Sequence, residues 1–493
     1  MNRMAELINQ PEGKTLEFKR DLSSPKHIFK TLVAFANTAG GKLIIGVDDQ
    51  GQVRGIDHPL DEEERICNLI ADSIAPRLVP EIEMITVENK TLLVIDVYLS
   101  GNRPHFLKSR GPEEGVYVRL GSSNRQADLP LIAELRRTVE GIAYDEMPMP
   151  DLTVDDLDMD AIDRAFSNVR KIDEKTLLTL KLIKLDQARK VPTKGGMLLF
   201  GRNRTFHFPD CWVQCGRFIG QDKSRIFDHI ELEEHMPQVV DSIMLFLKKH
   251  AMRGADFSEV RRKDIWSIPL EPLREVVINA LVHSDYSQRG APIRVAFFDD
   301  RIEIENPGIL MPGLTYEDMR SGVSKIRNPV IARVFRELNL IEQWGSGVPR
   351  IYRETQAEGF PEPTITELGL RVRFSVPLME PIQIDVKNPT KSNESRPESR
   401  PESRPESNLA YRILYLLKEQ ELGKIDLAKN LGHKTVSGEL KKQVRKLMET
   451  SLIEMTIPEK PNSRLQKYRL TQKGIDAFNM NADGHPGNKG EYE

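Results

Sequence analysis

Cysteine is scarce in this chain: Cys67, Cys211 and Cys215 are the only three among 493 residues. Three thiols cannot build a disulfide framework, so the small cross-linked secreted class is excluded and a reducing, cytoplasmic setting is expected. Long apolar runs are also missing, since none approaches the roughly 18 residues that a membrane-spanning helix needs. The polar, acidic N-terminus has no apolar core of the signal-peptide kind, so no secretory leader is expected. Charge of one sign is lacking too, with 71 basic against 74 acidic residues and a formal net charge of -3. No global field draws in a polyanion, and any nucleic-acid surface must therefore be local. A Walker A loop is absent: Gly40-Gly41-Lys42 lacks the spaced glycine and runs into Leu43 rather than Ser or Thr, which argues against a P-loop helicase. Cys211 and Cys215, with His207 nearby, are spaced more widely than usual zinc pairs and have no second pair, so buried thiols are expected.

The length exceeds one core and suggests about three domains. Residues 5–140 alternate strand and helix patterns, and Pro148-Met-Pro150 marks a boundary. A mostly helical connector follows, with apolar positions at Leu157, Ile162, Ala165, Phe166 and Val169. Met197 to Phe200 reads as a buried strand ending at Gly201, and Ile243 to Leu247 belongs to a helix. Residues 270–378 form a second α/β unit. Ser395 to Ser407 repeats Ser-Arg-Pro-Glu, whose prolines block helices and ladders, so 381–407 is expected to be a disordered linker. The tail 479–493 has a similar character. The fold class is thus multidomain α/β: 1–147, a mixed connector 151–269, an α/β unit 270–380, and a basic module 408–478.

Chemistry concentrates first between Glu12 and Asp49. Glu12-x4-Glu17-Phe18-Lys19, Ala34-Phe-Ala-Asn-Thr-Ala-Gly-Gly41 and Gly46-Val-Asp48-Asp49 flank an apolar, hairpin-like segment whose strand runs from Leu43 to Val47. Acids gathered at strand ends suit a hard divalent cation, which takes oxygen ligands. Leu92 to Leu99 and Val116 to Leu120 read as further strands, and Gly121 to Arg125 as a polar loop. These blocks resemble the Schlafen-type AlbA-like domain over residues 5–140. In ribonuclease members of that family two glutamates five apart and a later aspartate form a metal site. The resemblance implies Glu12, Glu17 and Asp48 (or its neighbour Asp49) as metal ligands for Mg²⁺ or Mn²⁺, with Lys19 stabilising charge on phosphate. Many bacterial relatives with the same motif are regulators that bind nucleic acid.

A second constellation lies downstream. Glu275 and Asn279 are four apart and share a helix face. Arg301 to Gly308 is a strand running into a turn, and Trp344-Gly345-Ser346-Gly347 is a glycine-rich turn opening a helix, where backbone amides can approach phosphate. Together they resemble the GHKL ATPase superfamily over residues 270–378. The resemblance implies that Glu275 orients or activates the attacking water and that Asn279 holds Mg²⁺. Gly308, Gly345 and Gly347 would line the nucleotide, with Lys325 and Arg327 in a lid as phosphate contacts. Asn306 stands where the superfamily reads adenine with an aspartate, so only a neutral carbonyl oxygen would meet the adenine amino group. His283-Ser-Asp285-Tyr286 matches a block of the bacterial subfamily that accompanies AlbA-like domains.

Residues 408–478 hold 14 Lys or Arg against 8 Asp or Glu, so basicity is concentrated there. Helices are expected over Leu409 to Leu417, Ile425 to Leu431 and Val436 to Met448, then strands over Leu452 to Ile457 and Gln466 to Leu470. That order resembles a winged helix-turn-helix, which implies that Lys441, Lys442, Arg445, Arg464 and Lys467 meet nucleic acid. Two functions stay open at this point. One is an ATP-gated nuclease acting on DNA or RNA in stress or phage defence. The other is an ATP-responsive transcriptional regulator that cuts nothing, with Glu12 and Glu17 in salt bridges to Lys19 or Arg125. GHKL units dimerise on nucleotide, which implies a homodimer or higher oligomer.

Overall fold

The computed structural model describes residues 2–251, 253–256, 263–341, 347–382, 413–414, 416–418, 420–430, 438–457, 459 and 466–475. The expected linker 381–407 (but for residues 381 and 382) and tail 479–493 lie outside the described residues. The chain divides into two compact units, residues 1–386 and 387–493.

The first unit holds two modules. In the N-terminal module, Leu16–Lys19 pairs in parallel with Gly41–Ile45, which pairs antiparallel with Lys90–Val97, and Glu81–Val87 closes the sheet. The segment expected to be hairpin-like is therefore a parallel crossover, because the helix Pro25–Asn37 connects the two strands. That helix buries Ile28, Leu32, Val33 and Phe35 against Leu43, Ile45 and Leu93, a continuous apolar cluster. Asn37, fully buried, donates to the carbonyls of His105 and Tyr117 at 2.9 and 3.0 Å and accepts from the His105 amide at 2.7 Å. A polar residue in the Ala-Phe-Ala-Asn motif is thus fully satisfied by backbone. The expected polar loop at 121–125 is instead a tight turn and a strand, since Ser123–Gln126 pairs back on Tyr117–Leu120. Asp128 caps the next helix, Leu129–Glu140, by accepting from the Leu131 amide at 3.0 Å.

The second module is built on a six-stranded sheet in the order Ile226–Leu232, Val213–Phe218, Ile293–Phe297, Arg301–Pro307, Arg371–Pro377, Thr364–Leu368. Two strands from the expected connector thus share a sheet with the expected 270–380 unit, and one apolar cluster runs from Leu157 to Ile382. The expected strand at Met197–Phe200 is a helix, Lys194–Phe200. Thr193 caps it through the Gly196 amide at 3.0 Å, and a four-residue apolar run cannot by itself tell a buried strand from a buried helix. Ile243 to Leu247 lies in the helix Met236–His250, as its periodicity requires. Cys211 and Cys215 are buried and free, and burial pushes their thiols up to about 11 and about 12.

In the second unit, helical residues 413–414 and 416–418, helices Lys424–Asn430 and Gly438–Glu449, and paired strands Ile453–Met455 and Tyr468–Leu470 surround Ile413, Leu427, Leu440, Val444 and Tyr468. Among the described residues no helix is long and apolar enough to cross a membrane.

Candidate nucleotide site and the acidic strand ends

The helix Leu270–His283 packs against Gly347–Ala357, and a cleft of about 1190 Å³, open solvent at its mouth included, forms beside them. Glu275 and Asn279 line it one helical turn apart, with the Asn279 amide donating to Glu275 Oε1 at 3.3 Å. Arg350 donates to Glu275 Oε2 at 3.1 Å from the facing helix. Gly347 sits hard against this pair: a Cβ there would fall 2.2 Å from Glu275 Oε1. Only glycine lets the second helix approach so closely. Gly345 lies outside the described residues.

The opposite wall is apolar, with Ile309, Leu310, Val372 and Phe374, and Asn306 stands among them. Its amide donates to the Pro307 and His283 carbonyls at 3.2 and 3.5 Å, which leaves Oδ1 as its acceptor. Lys325, Arg336 and Arg350 bring cationic charge to the cleft. Lys325 spends one N–H on the Pro312 carbonyl, at 2.7 Å. An apolar wall for a base, cations for phosphates, and an amide beside a carboxylate make a donor set that fits a nucleotide with Mg²⁺. Burial, and secondarily the nearby Arg327, pushes the cleft-lining His283 down to about 4, so its ring is neutral near pH 7.

Arg327 does not offer a free phosphate contact. Its three donor nitrogens go to Glu134 Oε1 at 2.6 Å, the His283 carbonyl at 2.5 Å and the Ile309 carbonyl at 2.6 Å. Gly308, at φ +105, clears the same guanidinium, which a Cβ would meet at 2.6 Å. Both residues position the cleft rather than line the phosphates.

The acidic strand ends are arranged differently from the expected metal triad. Glu17 is buried, and its carboxylate lies between Lys19 at 2.5 Å and Arg119 at 2.5 Å. Arg119 is fully buried, donates also to the Gly13 carbonyl and Asn124 Oδ1 at 3.0 Å each, and stacks over Phe35. Glu12 is exposed and accepts from the Phe18 amide at 2.9 Å. Asp48 accepts from the Gln50 and Gln52 amides and from Arg54 at 2.7 Å. The Gln52 amide above all holds the Asp48 carboxyl below the usual range. Asp49 is a further exposed-loop neighbour outside these bonds. Among the described residues no group of three His, Cys, Asp or Glu could hold a metal ion. Two cations on Glu17 oppose a third positive charge there.

The modules meet along the cleft. Lys14 pairs with Glu367 at 2.8 Å with both side chains buried, and Glu367 accepts in turn from the Leu310 amide at 2.8 Å. The Gly313 amide donates to the Thr38 carbonyl at 2.6 Å, and Ile309 packs with Val116, Val118 and Leu131. Sequence reasoning missed Lys14, Arg119, Arg336 and Arg350. A lone arginine within Val116-Tyr-Val-Arg-Leu120 was the available signal, since a charge in an otherwise buried strand requires a buried acid.

In the second unit Arg445 and Lys467 are exposed. Arg464 lies outside the described residues, as do the side chains of Lys441 and Lys442.

Three segments of the chain match known families. Residues 12–128 match the family described as Schlafen, AlbA_2. Residues 290–376 match "Putative ATP-dependent DNA helicase recG C-terminal", a segment that begins after the helix bearing Glu275 and Asn279. Residues 410–471 match "Filamentation induced by cAMP protein Fic-like, C-terminal domain". A crystal structure of a Corynebacterium diphtheriae protein is 19% identical over 97% of both chains, with a TM-score of 0.42. The N-terminal domain of a "Putative ATP-dependent DNA Helicase RecG-related Protein" from Nitrosomonas europaea is 30% identical, over 26% of this chain and 92% of that one, with a TM-score of 0.21. By its family matches the chain joins a Schlafen AlbA-like domain to a recG C-terminal-like ATPase domain, followed by a Fic-like C-terminal domain.

Proposed function

We propose that this protein is an ATP-binding regulator that binds nucleic acid without cutting it. The observation that carries the reading is the cleft in which Glu275, Asn279, Gly347 and Arg350 converge opposite an apolar wall. ATP with Mg²⁺ would supply the phosphate charge that this site is built to meet, the ion neutralising part of it. Asn279 would hold the ion, Asn306 Oδ1 would accept from the adenine amino group, and Lys325, Arg336 and Gly347 would face the phosphates. Glu275, restrained here by Arg350, would orient water once that arginine turns to phosphate.

The AlbA-like module would sense the nucleotide through the Lys14–Glu367 pair, where Glu367 also accepts from the amide of cleft-lining Leu310, and through the Gly313–Thr38 bond, next to cleft-lining Leu314. Its carboxylates, already neutralised by Lys19, Arg119 and Arg54, support a folding role rather than metal catalysis. Exposed Arg445 and Lys467 support nucleic-acid contact by a winged-helix-like C-terminal unit, and a homodimer formed on nucleotide binding is part of the same proposal.

The test is a combined shift and cleavage assay. The full chain meets tRNA, single-stranded RNA and duplex DNA with Mg²⁺ or Mn²⁺, with and without ATP, beside Asn279→Ala and Glu17→Gln. Shifted, intact nucleic acid whose affinity changes with ATP in the wild type but not in Asn279→Ala is expected. Cleavage that disappears in Glu17→Gln would replace this reading with the nuclease.

A further inference from the structure

The six-stranded sheet of the ATPase-like module has two unlike faces. Val295, Ile302, Ile304, Phe374 and Val376 pack into the apolar cluster with Val276, Val277 and Val334 of the helices. Side chains alternate along a strand, so the residues between them look the other way. Cross-strand register sets these in a row: Gln214 lies opposite Arg294, Arg294 opposite Glu305, Glu305 opposite Arg373, and Arg373 opposite Thr366. Arg371 precedes Arg373 by two residues on the same strand and shares its face. Arg294, Arg371 and Arg373 are all partly exposed.

Charge on this face is out of balance. Glu305, 6% exposed, accepts from Arg373 at 2.8 Å and has the Lys223 ammonium 3.6 Å away. Glu303 accepts from Arg301 at 2.8 Å and has Arg373 at 3.5 Å. Both acids are thus already paired. Arg294 makes no hydrogen bond or ion pair among the described residues, and its Nε is buried without an acceptor. Arg371 donates to the Pro292 carbonyl at 3.1 Å, which brings its guanidinium within two residues of Arg294 along the neighbouring chain segment. Burial first, and then the Arg294 charge, holds Arg371 below its usual value, with Glu305 acting in the opposite sense. Two half-buried guanidiniums that repel each other are a cost to the fold that a bound anion removes.

These cations stand on strands about 4.8 Å apart, spread over a face rather than closed around one point. Such a row gives a lone anion little enclosure but gives an extended polyanion several contacts. Arginine forks match phosphate oxygens in pairs, and a single strand is flexible enough to lay successive phosphates along the row. We propose that this open sheet face binds the phosphodiester backbone of single-stranded nucleic acid through Arg294, Arg371 and Arg373. The inference rests on the nucleic-acid reading above and adds a surface in the first unit to the one in the second. The strands Arg301–Pro307 and Arg371–Pro377 also carry Asn306, Val372 and Phe374 into the nucleotide cleft, so backbone and nucleotide would lie on opposite faces of one sheet.

The full chain is titrated with labelled oligothymidylate by fluorescence anisotropy over a salt series, beside the double variant Arg294→Gln, Arg371→Gln, the double variant Arg294→Lys, Arg371→Lys, and Arg445→Gln. The glutamine pair should bind about tenfold or more weakly at about 0.15 M salt, and its plot of log affinity against log salt should be shallower by about 1.4, two lost phosphate contacts. The lysine pair should keep the wild-type slope, since its charge is kept. The melting temperature of the glutamine pair should not fall, because a repulsion is removed. Unchanged affinity and slope in the glutamine pair, or loss confined to Arg445→Gln, overturns the proposal and leaves the nucleic-acid reading standing. So does a wild type that shifts duplex DNA or tRNA but not oligothymidylate. A glutamine pair that melts lower, with no rescue of binding by the lysine pair, makes the arginines structural and overturns it. Polyglutamate displacing the oligonucleotide at equal charge concentration would assign the face to an acidic protein instead. A wild type that binds no nucleic acid at all removes both readings.

Discussion

Replacing Arg119 with methionine tests whether Glu17 is a structural acid or a metal ligand. The two side chains are 1 and 9% exposed and lie 2.5 Å apart. At that burial, removing one partner of an ion pair and leaving the other charged costs about 3–5 kcal/mol. Lys19 remains on Glu17 Oε1, which places the expected loss at the lower end, about 3 kcal/mol. The Gly13 carbonyl and Asn124 Oδ1 also lose a donor, each worth about 1 kcal/mol. Methionine fills much of the arginine's volume over Phe35, so a cavity term is small. The assay is native-state hydrogen exchange of the full chain, read on amides of Leu16–Lys19 and Gly41–Ile45. The ion pair and the two lost donors come together to about 5 kcal/mol, which speeds their exchange roughly 5,000-fold. The double variant Glu17→Leu, Arg119→Met should recover much of the protection, because no charge is then buried alone. Unchanged exchange in Arg119→Met, together with tighter Mn²⁺ binding on Glu17, would refute the reasoning and restore the metal reading.

Other expectations are open to direct measurement. Gly347→Ala should weaken a fluorescent ATP analogue at least about tenfold by titration, since the added Cβ displaces Glu275, while the melting temperature moves little. His283 holds its neutral form down to about pH 4, whereas the unfolded chain takes a proton at its ordinary value near 6.5. Its contribution is therefore complete above pH 6.5 and is lost as pH falls towards 4, by up to about 3 kcal/mol; urea midpoints of His283→Gln should fall less steeply with acid than those of the wild type. Lys14→Met leaves Glu367 buried and unpaired, and nucleotide-dependent protection in the AlbA-like module should then disappear while ATP still binds. Leu440→Ala should cost the second unit about 2–4 kcal/mol, measured by exchange in Gly438–Glu449, with nucleotide affinity unchanged because that unit has its own core.

Periodicity and punctuation located most elements correctly. The helix carrying Glu275 and Asn279 and the three-helix, two-strand order of the C-terminal unit follow from apolar spacing, whereas the crossover helix Pro25–Asn37 lies in a segment expected to be hairpin-like. Failures came where local pattern is silent. Four apolar residues at Met197–Phe200 fit strand or helix equally, and the Thr193 cap decided. Gly121 to Arg125 looked like loop because its strand is polar on both faces, and pairing with Tyr117–Leu120 is what makes it a strand. The sheet that unites residues 213–232 with residues 293–377 depends on partners far apart in sequence, so the connector could not be recognised as part of the ATPase-like core.

By itself, the sequence determined the composition of both sites: carboxylates five apart at one strand, and a glutamate and an asparagine one turn apart on a helix. Spacing within an element is local geometry, and local geometry is written in the chain. The partners of those groups were decided only by the tertiary structure. Arg119 reaches Glu17 across 102 residues, Arg350 reaches Glu275 across 75, and Arg327 spends its donors on Glu134, 193 residues away. An acid alone in a list reads as a ligand. The same acid beside a buried arginine is half of an ion pair, because burial makes the nearest opposite charge, wherever it comes from, dominate its chemistry.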